Sequence, residues 1–277
     1  MHERALHRFI VNIGTALCLV AAVMVTSAPA ARAGAFEDGY AAYQRGDFAT
    51  ALETWTPLAE SGHARAQYNL GVMYDEGRGV LSDKQKATAW WQRAADQNLP
   101  EALHNLASTH LFGNDFQGDH EKAIAWMTRA AELGLDRSQY TLGKMYLHGH
   151  GVAPDEAKAR RWIEKAAEQG FTRAQYNMGK IERDGIGGPK NAKAAAHWFL
   201  RAAEQGYAKA QNHIGLRYAR GEGVAKDGVK ALFWLTLAAR QGHSVAGTNR
   251  KALLTQLPPD DVAQALQMVE AWRPKGS

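Results

Sequence analysis

The sequence predicts an all-α solenoid of tandem helix-turn-helix repeats. A 36-residue period runs without drift through three columns. The first is small: Gly71, Ala107, Gly143, Gly179 and Gly215. The second is Trp90, Trp126, Trp162, Trp198 and Trp234, and the third is the alanine pair 94–95, 130–131, 166–167, 202–203 and 238–239. Self-similarity at a fixed period of this length marks stacked supersecondary units, none of which buries its apolar face alone.

Each copy reads as helix, loop, helix. In the first, Ala66, Leu70, Met73, Tyr74 and Gly77 fall at i, i+4, i+7, i+8 and i+11, one face of a helix. Ala87, Trp90, Trp91, Ala94 and Ala95 repeat that logic in the second helix. Small residues at Gly71 and Ala94 let neighbouring helices approach, and tryptophan and leucine fill the space between, so the tryptophan column is read as core.

Loop chemistry agrees. Gly77-Arg78-Gly79, Gly149-His150-Gly151 and Gly221-Glu222-Gly223 end first helices with residues that tolerate positive φ. Asp83, Asp119, Asp155, Asn191 and Asp227 stand at the second-helix starts, where a side-chain oxygen accepts from an otherwise unpaired backbone N–H. Second helices end at Asn98, Gly134, Gly170, Gly206 and Gly242, asparagine being the next best left-handed cap after glycine.

The motif Ala66-x3-Leu70-Gly71-x2-Tyr74-x2-Gly77-x-Gly79-Val80, followed by Asp83, Ala87, Trp90 and Ala94-Ala95, resembles the Sel-like repeat (SLR) family, a longer relative of the tetratricopeptide repeat. The resemblance implies a right-handed α/α superhelical solenoid of about 14 helices, continuous and not divided into separate cores. It places five repeats in 64–242, a degenerate opening pair in 34–63 framed by Tyr40, Gly46, Phe48, Ala51 and Trp55, and a capping pair in 243–277 with Leu253, Leu254, Leu257, Val262, Leu266 and Trp272 as apolar contacts. Copy two departs with Ala107, His110 and Asn114-Asp115-Phe116, and copy four with Glu182 in the tyrosine column and Gly188 in the valine column; both loops are expected to be locally irregular.

Residues 1–33 read as a secretory signal peptide. Arg4 and Arg8 supply the positive start, Phe9 to Val25 form a 17-residue apolar run broken only by Asn12, Gly14 and Thr15, and Ala31-Arg32-Ala33 offers a cleavage site after Ala33. An uncleaved membrane anchor is the alternative, the run being close to the shortest span. Cleavage predicts a periplasmic or secreted protein with no stable membrane insertion. Cys18, the single cysteine, lies in this run behind Leu17, an unsuitable setting for lipidation. The remaining chain has no cysteine and so no disulfide, and its core must hold it together. The formal charge is +5; without the leader's three arginines and one glutamate, 30 basic and 27 acidic residues leave +3, too weak an excess to argue for nucleic acid.

No cofactor, metal or catalytic set is evident, and the chain is read as a non-enzyme. The recurrent Gly-x-Gly follows a helix, lacks a third glycine and is read as a turn, not a phosphate cradle. His148 and His150 would need further ligands to hold a metal. His104 and His110, six apart, face different ways on their helix. Glu182 either has a raised pKa, turns outward, or pairs with a nearby Lys or Arg. Some SLR relatives are cysteine-rich and linked to β-lactams; the missing cysteines and the lack of Ser-x-x-Lys give that activity little support here.

In tetratricopeptide arrays the first helix of each unit lines the concave face. Carried over, this makes Arg65, Tyr68, Val72, Asp75 and Glu76 the outward positions of copy one. The same columns turn basic later, giving a candidate partner-binding face of Arg65, Tyr68, Arg137, Tyr140, Lys144, Arg173, Tyr176, Lys180 and Lys209. The expected role is a protein-binding scaffold or adaptor in a Gram-negative-type envelope, with copies three to five gripping an acidic partner. Cell-wall or polysaccharide binding is the alternative, and hydrolysis of β-lactam or peptidoglycan the third reading. Leu111 and Phe112, apolar where other copies are polar, are read as packing under the loop of copy two.

Overall fold

The computed structural model describes residues 28–112 and 120–275, with side chains from Gly34 onward except that of Phe112. The leader's charged start and apolar run lie outside those residues, as does the Asn114-Asp115-Phe116 turn; the cleavage position expected after Ala33 falls within the first helix. Every regular element among the described residues is an α-helix, fourteen in all, and none is long and apolar enough to cross a membrane. The chain divides at Trp90/Trp91 into two compact units where a single array was expected. Repeats in a solenoid touch only their neighbours, so a division can occur without any column of the repeat changing.

Unit 1 holds α1 (Ala28–Gln44), α2 (Phe48–Glu60), α3 (Ala64–Glu76) and the first half of α4 (Lys84–Ala95). Trp55 is its centre, fully buried with Ala51, Ala59, Ala66, Leu70 and Met73, and Trp90 packs against the same cluster. The indole Nε1 of Trp55 donates to the Phe36 carbonyl at 3.2 Å. A Cβ on Gly39 would lie 2.5 Å from that nitrogen, which is why the position is glycine. Tyr40 is not part of this framework as the sequence led us to expect. With Trp55 filling the core beside Gly39, Tyr40 turns outward and is 45% exposed.

Unit 2 continues with the rest of α4, then α5 (Pro100–Phe112), α6 (His120–Glu132), α7 (Asp136–His148), α8 (Glu156–Glu168), α9 (Thr172–Asp184), α10 (Ala192–Glu204), α11 (Ala208–Arg220), α12 (Gly228–Arg240), α13 (Ser244–Leu254) and α14 (Pro259–Ala271). From α5 to α13 each helix packs on the next, and α14 folds back onto α12. The closing pair shields the end of the core: Leu253, Leu254, Leu257, Val262 and Trp272 pack against Leu232, Phe233, Trp234, Leu237 and Val269. In the tryptophan column, Trp198 and Trp234 are buried, and Trp126 and Trp162 are half-buried against the core. Cations cover the outer ring faces, Lys122 over Trp126, Lys165 over Trp162 and Arg201 over Trp198.

The caps form as their residue types dictate. Asp83, Asp155, Asn191 and Asp227 accept from the backbone N–H three residues on, at 2.8–3.0 Å. Asn98 is the single non-glycine residue with positive φ among the described residues, at 59°. Copy four's loop corrects an expectation. It is regular, because Gly185 and Gly187 take the left-handed φ of 75° and 64° that the glycines of copies one, three and five take.

A polar ladder runs between the repeats of unit 2. The last carbonyls of a helix have no intrahelical donor. Buried Gln139, Gln175 and Gln211 donate to those of Ala131, Ala167 and Ala203. The glutamine closing the following helix then donates back: Gln169 to Gln139, Gln205 to Gln175 and Gln241 to Gln211, at 2.7–2.8 Å.

Candidate functional site

First helices carry the columns that the sequence assigns to a partner, and the two units present them separately. In unit 1, Arg65 is exposed and Tyr68 is half-buried. Tyr68 lines a concavity with Tyr40, Tyr43, Trp55, Asn69 and Val72. The Tyr43 hydroxyl accepts from Arg78 at 2.8 Å, and the guanidinium also stacks over the Tyr43 and Phe48 rings.

In unit 2 the face is a chain of aromatic contacts bordered by cations. Tyr140 packs on Phe171, with ring centres 5.3 Å apart, and Tyr176 packs on Tyr207 at 5.1 Å, on His213 at 5.7 Å and on Phe199 at 5.8 Å. The start of each first helix, at Phe171 or Tyr207, thus supplies a ring for the tyrosine of the preceding copy. Asn177 Nδ2 donates to the Tyr140 hydroxyl at 3.0 Å, and Asn249 Nδ2 donates to Asn212 Oδ1 at 3.1 Å, the same step one helix pair apart. Burial, with Tyr207 nearby, raises the pKa of both Tyr140 and Tyr176, so both stay neutral donors.

The cations gather in two places. Burial, then the charges of Lys144, His150 and Lys180, lower the pKa of His148. Lys180, Arg183 and Arg217 surround His213, which burial, then those charges and His243, push down to about 4. Its ring lies flat on Phe199, 4.7 Å away and 9° from parallel. His104 is likewise pushed down to about 4, by burial and by Arg137, and its Nδ1 lies 2.8 Å from Ser138 Oγ. Arg137 is partly buried, and its Nε and Nη2 have no hydrogen-bond partner among the described residues. Arg173 reaches the surroundings of Tyr140 but is itself exposed, and Lys209 is exposed.

Five consecutive segments, residues 64–99, 100–135, 136–171, 172–207 and 208–243, match the family model of the Sel1 repeat. The chain belongs to the Sel1 repeat family. It is similar to a Sel1 repeat protein of known structure from Oxalobacter formigenes, at 30% identity over 85% of this chain and 99% of that one, with a TM-score of 0.72. It is also similar to a protective antigen with an SLR fold from uropathogenic Escherichia coli, at 27% identity and a TM-score of 0.55, over 87% of this chain and 60% of that one. A search of the curated proteins finds no match.

Glu182 is buried and paired, its Oε1 2.5 Å from Arg160 Nη2. Burial raises its pKa and Arg160 opposes that rise. His148 and His150 have ring centres 5.5 Å apart, and no third metal ligand joins them among the described residues. Leu111 packs under the core cluster of copies two and three; the Phe112 side chain lies outside the described residues. Sequence reading missed Phe171, Tyr207, His213, Arg183 and Arg217. For Arg217 a signal existed: it is the one charge in a column that otherwise reads Met73, Thr109, Met145 and Ile181.

Proposed function

We propose that this Sel1-repeat protein is an exported binding scaffold of the bacterial envelope that holds an acidic protein partner on the first-helix face of unit 2. One observation carries the reading: the tyrosine pairs Tyr140–Phe171 and Tyr176–Tyr207 alternate with Lys144, Arg173, Lys180 and Arg183 along one run of helices. Aromatic rings and arginines are the residues that most often anchor protein interfaces. The acid on the same helix end, Asp184, is already taken up by Arg183, in contacts of 2.6 and 2.7 Å. Export rests on Arg4, Arg8, the apolar run and Ala31-Arg32-Ala33.

The test is affinity capture from the native envelope with a fourfold variant, Arg137→Glu, Lys144→Glu, Arg173→Glu and Lys180→Glu, checked for helicity. The variant should lose the partner; capture equal to wild type rejects the face. Mass spectrometry of the protein recovered from the envelope should show a chain starting at Gly34. The aromatic concavity of unit 1 favours a second reading, binding of a wall polysaccharide by ring stacking. Co-sedimentation with purified wall material, lost in Tyr40→Ala, would support that reading in place of a protein partner.

A further inference from the structure

Arg217 occupies a column whose other buried members are Met73, Met145 and Ile181, each no more than 1% exposed. It is itself only 5% exposed. Packing alone asks for methionine here, and a buried guanidinium is costly unless its charge and donors are met. They are met poorly. The Glu222 carboxylate stands off, its Oε2 3.9 Å from Nη1, and Arg217 Nε is buried with no hydrogen-bond partner among the described residues. The Phe199 ring, 4.9 Å away, satisfies one face of the guanidinium and none of its donors.

Neighbouring acids do not make up the difference. Glu222 is exposed on the loop after α11 and is shared with Arg220, 3.4 Å away. Asp184 is engaged by both prongs of Arg183. Lys180 adds a further positive charge beside His213, one turn before Arg217.

We infer that Arg217 is a carboxylate-binding site between α9 and α11. It anchors an acidic side chain or a chain-terminal carboxylate of the partner. The inference rests on the reading of this face as the binding face. An incoming carboxylate displaces the loop carboxylate of Glu222 and forms with the guanidinium the two-pronged pair that Glu222, held at a distance and shared, does not make.

The test follows the Arg217 Nε–H and the His213 ring by NMR in the full-length chain, titrated with succinate, phosphate and the neutral succinamide. Succinate should shift both signals saturably and succinamide should not. Glu222→Gln should tighten succinate several-fold by removing the competitor. Arg217→Met should abolish the His213 response while melting no lower than wild type, because methionine is what the column holds elsewhere. A structural arginine predicts the reverse, a lower melting temperature in Arg217→Met. A succinate response that does not saturate, that survives Arg217→Met, or that phosphate matches overturns the site. Comparing N-acetylglycine with N-acetylglutamate amide separates a terminal from a side-chain carboxylate. Partner capture that depends on the four lysines and arginines without succinate saturation keeps the face and removes this site; saturation without such capture does the opposite.

Discussion

Gln205 Nε2 donates to Gln175 Oε1 at 2.7 Å and to the Gly170 carbonyl at 3.0 Å, while Gln175 Nε2 reaches the Ala167 carbonyl at 3.1 Å. The Gln139–Gln169 and Gln175–Gln205 pairs therefore each close a helix end and a loop. Copy two solves the same junction without polar groups, with Leu103 and Leu133 at the equivalent positions. Gln175→Leu alone removes one bond from the Ala167 carbonyl, which keeps the Gly170 N–H, and one from the Gln205 amide, which keeps the Gly170 carbonyl, a loss of about 1–2 kcal/mol. Gln175→Leu with Gln205→Leu recreates the copy-two pair, so the double variant should lose less than the sum of the two singles. Urea unfolding of the four proteins measures the coupling; strict additivity would show that the glutamines act independently.

Arg160 and Glu182 make a similar substitution in pairs. The equivalent positions one repeat on are Ala196 and Tyr218. Arg160→Ala leaves a 4%-exposed carboxylate without its cation, which should cost on the order of 3 kcal/mol. Burial already raises the pKa of Glu182. A carboxyl with a raised folded pKa loses stability as pH rises above its unfolded value near 4, so the deficit of Arg160→Ala should be larger at neutral pH than in mild acid. Arg160→Ala with Glu182→Tyr installs the Ala196–Tyr218 pair found one repeat on and should recover wild-type stability in thermal melts at neutral pH.

These pairs mark what the sequence made legible. The 36-residue period exposed the helices, their caps and the core columns, because each depends on one residue type at one position in five copies. Compensated exchanges are harder to read: Glu182 looked anomalous until Arg160, 22 positions earlier and in a different helix, appeared opposite it. The face was legible in the same degree. Its tyrosines and lysines recur in first-helix columns, whereas Phe171 and Tyr207, which pack against them, belong to loop positions set by no first-helix period. Tyr40 was misread because the position carries a large apolar ring, and the residue that fills the core there, Trp55, arrives from the next helix.

His213 and His104 give unit 2 a defined sensitivity to acid. Both are pushed down to about 4, mainly by burial; Arg183, Arg217, Lys180 and His243 contribute at His213, and Arg137 at His104. The unfolded chain takes up a proton near pH 6.5 that the folded chain refuses, so the stabilisation is complete above that pH and drains as pH falls toward 4. One pKa unit is about 1.4 kcal/mol. Discounted for residual solvation, each histidine should account for on the order of 1–2 kcal/mol. His213→Asn, which takes the residue of Asn105, Asn177 and Asn249 in the same column, should remove roughly half of the melting-temperature loss between pH 7 and pH 5. An unchanged pH profile would place the acid sensitivity elsewhere.

Gly143 shows how closely a first helix approaches its partner. A Cβ there would lie 2.5 Å from Ile163 Cγ1 and 3.0 Å from the Ala159 carbonyl, so one side of the site is backbone and cannot swing aside. Copy two carries Ala107 in this column and, opposite it, Met127 where copy three has Ile163. An unbranched thioether leaves room beside its Cβ that isoleucine fills with Cγ2 or Cγ1. Gly143→Ala should therefore destabilise by about 1–3 kcal/mol through overpacking, even though alanine is the better helix former by up to about 1 kcal/mol. Adding Ile163→Met should return most of the loss, since the pair then matches copy two. Chemical denaturation of both variants decides the point: a Gly143→Ala protein as stable as wild type would mean that the helices part at no cost, and the small-residue column would lose its explanation as a packing constraint.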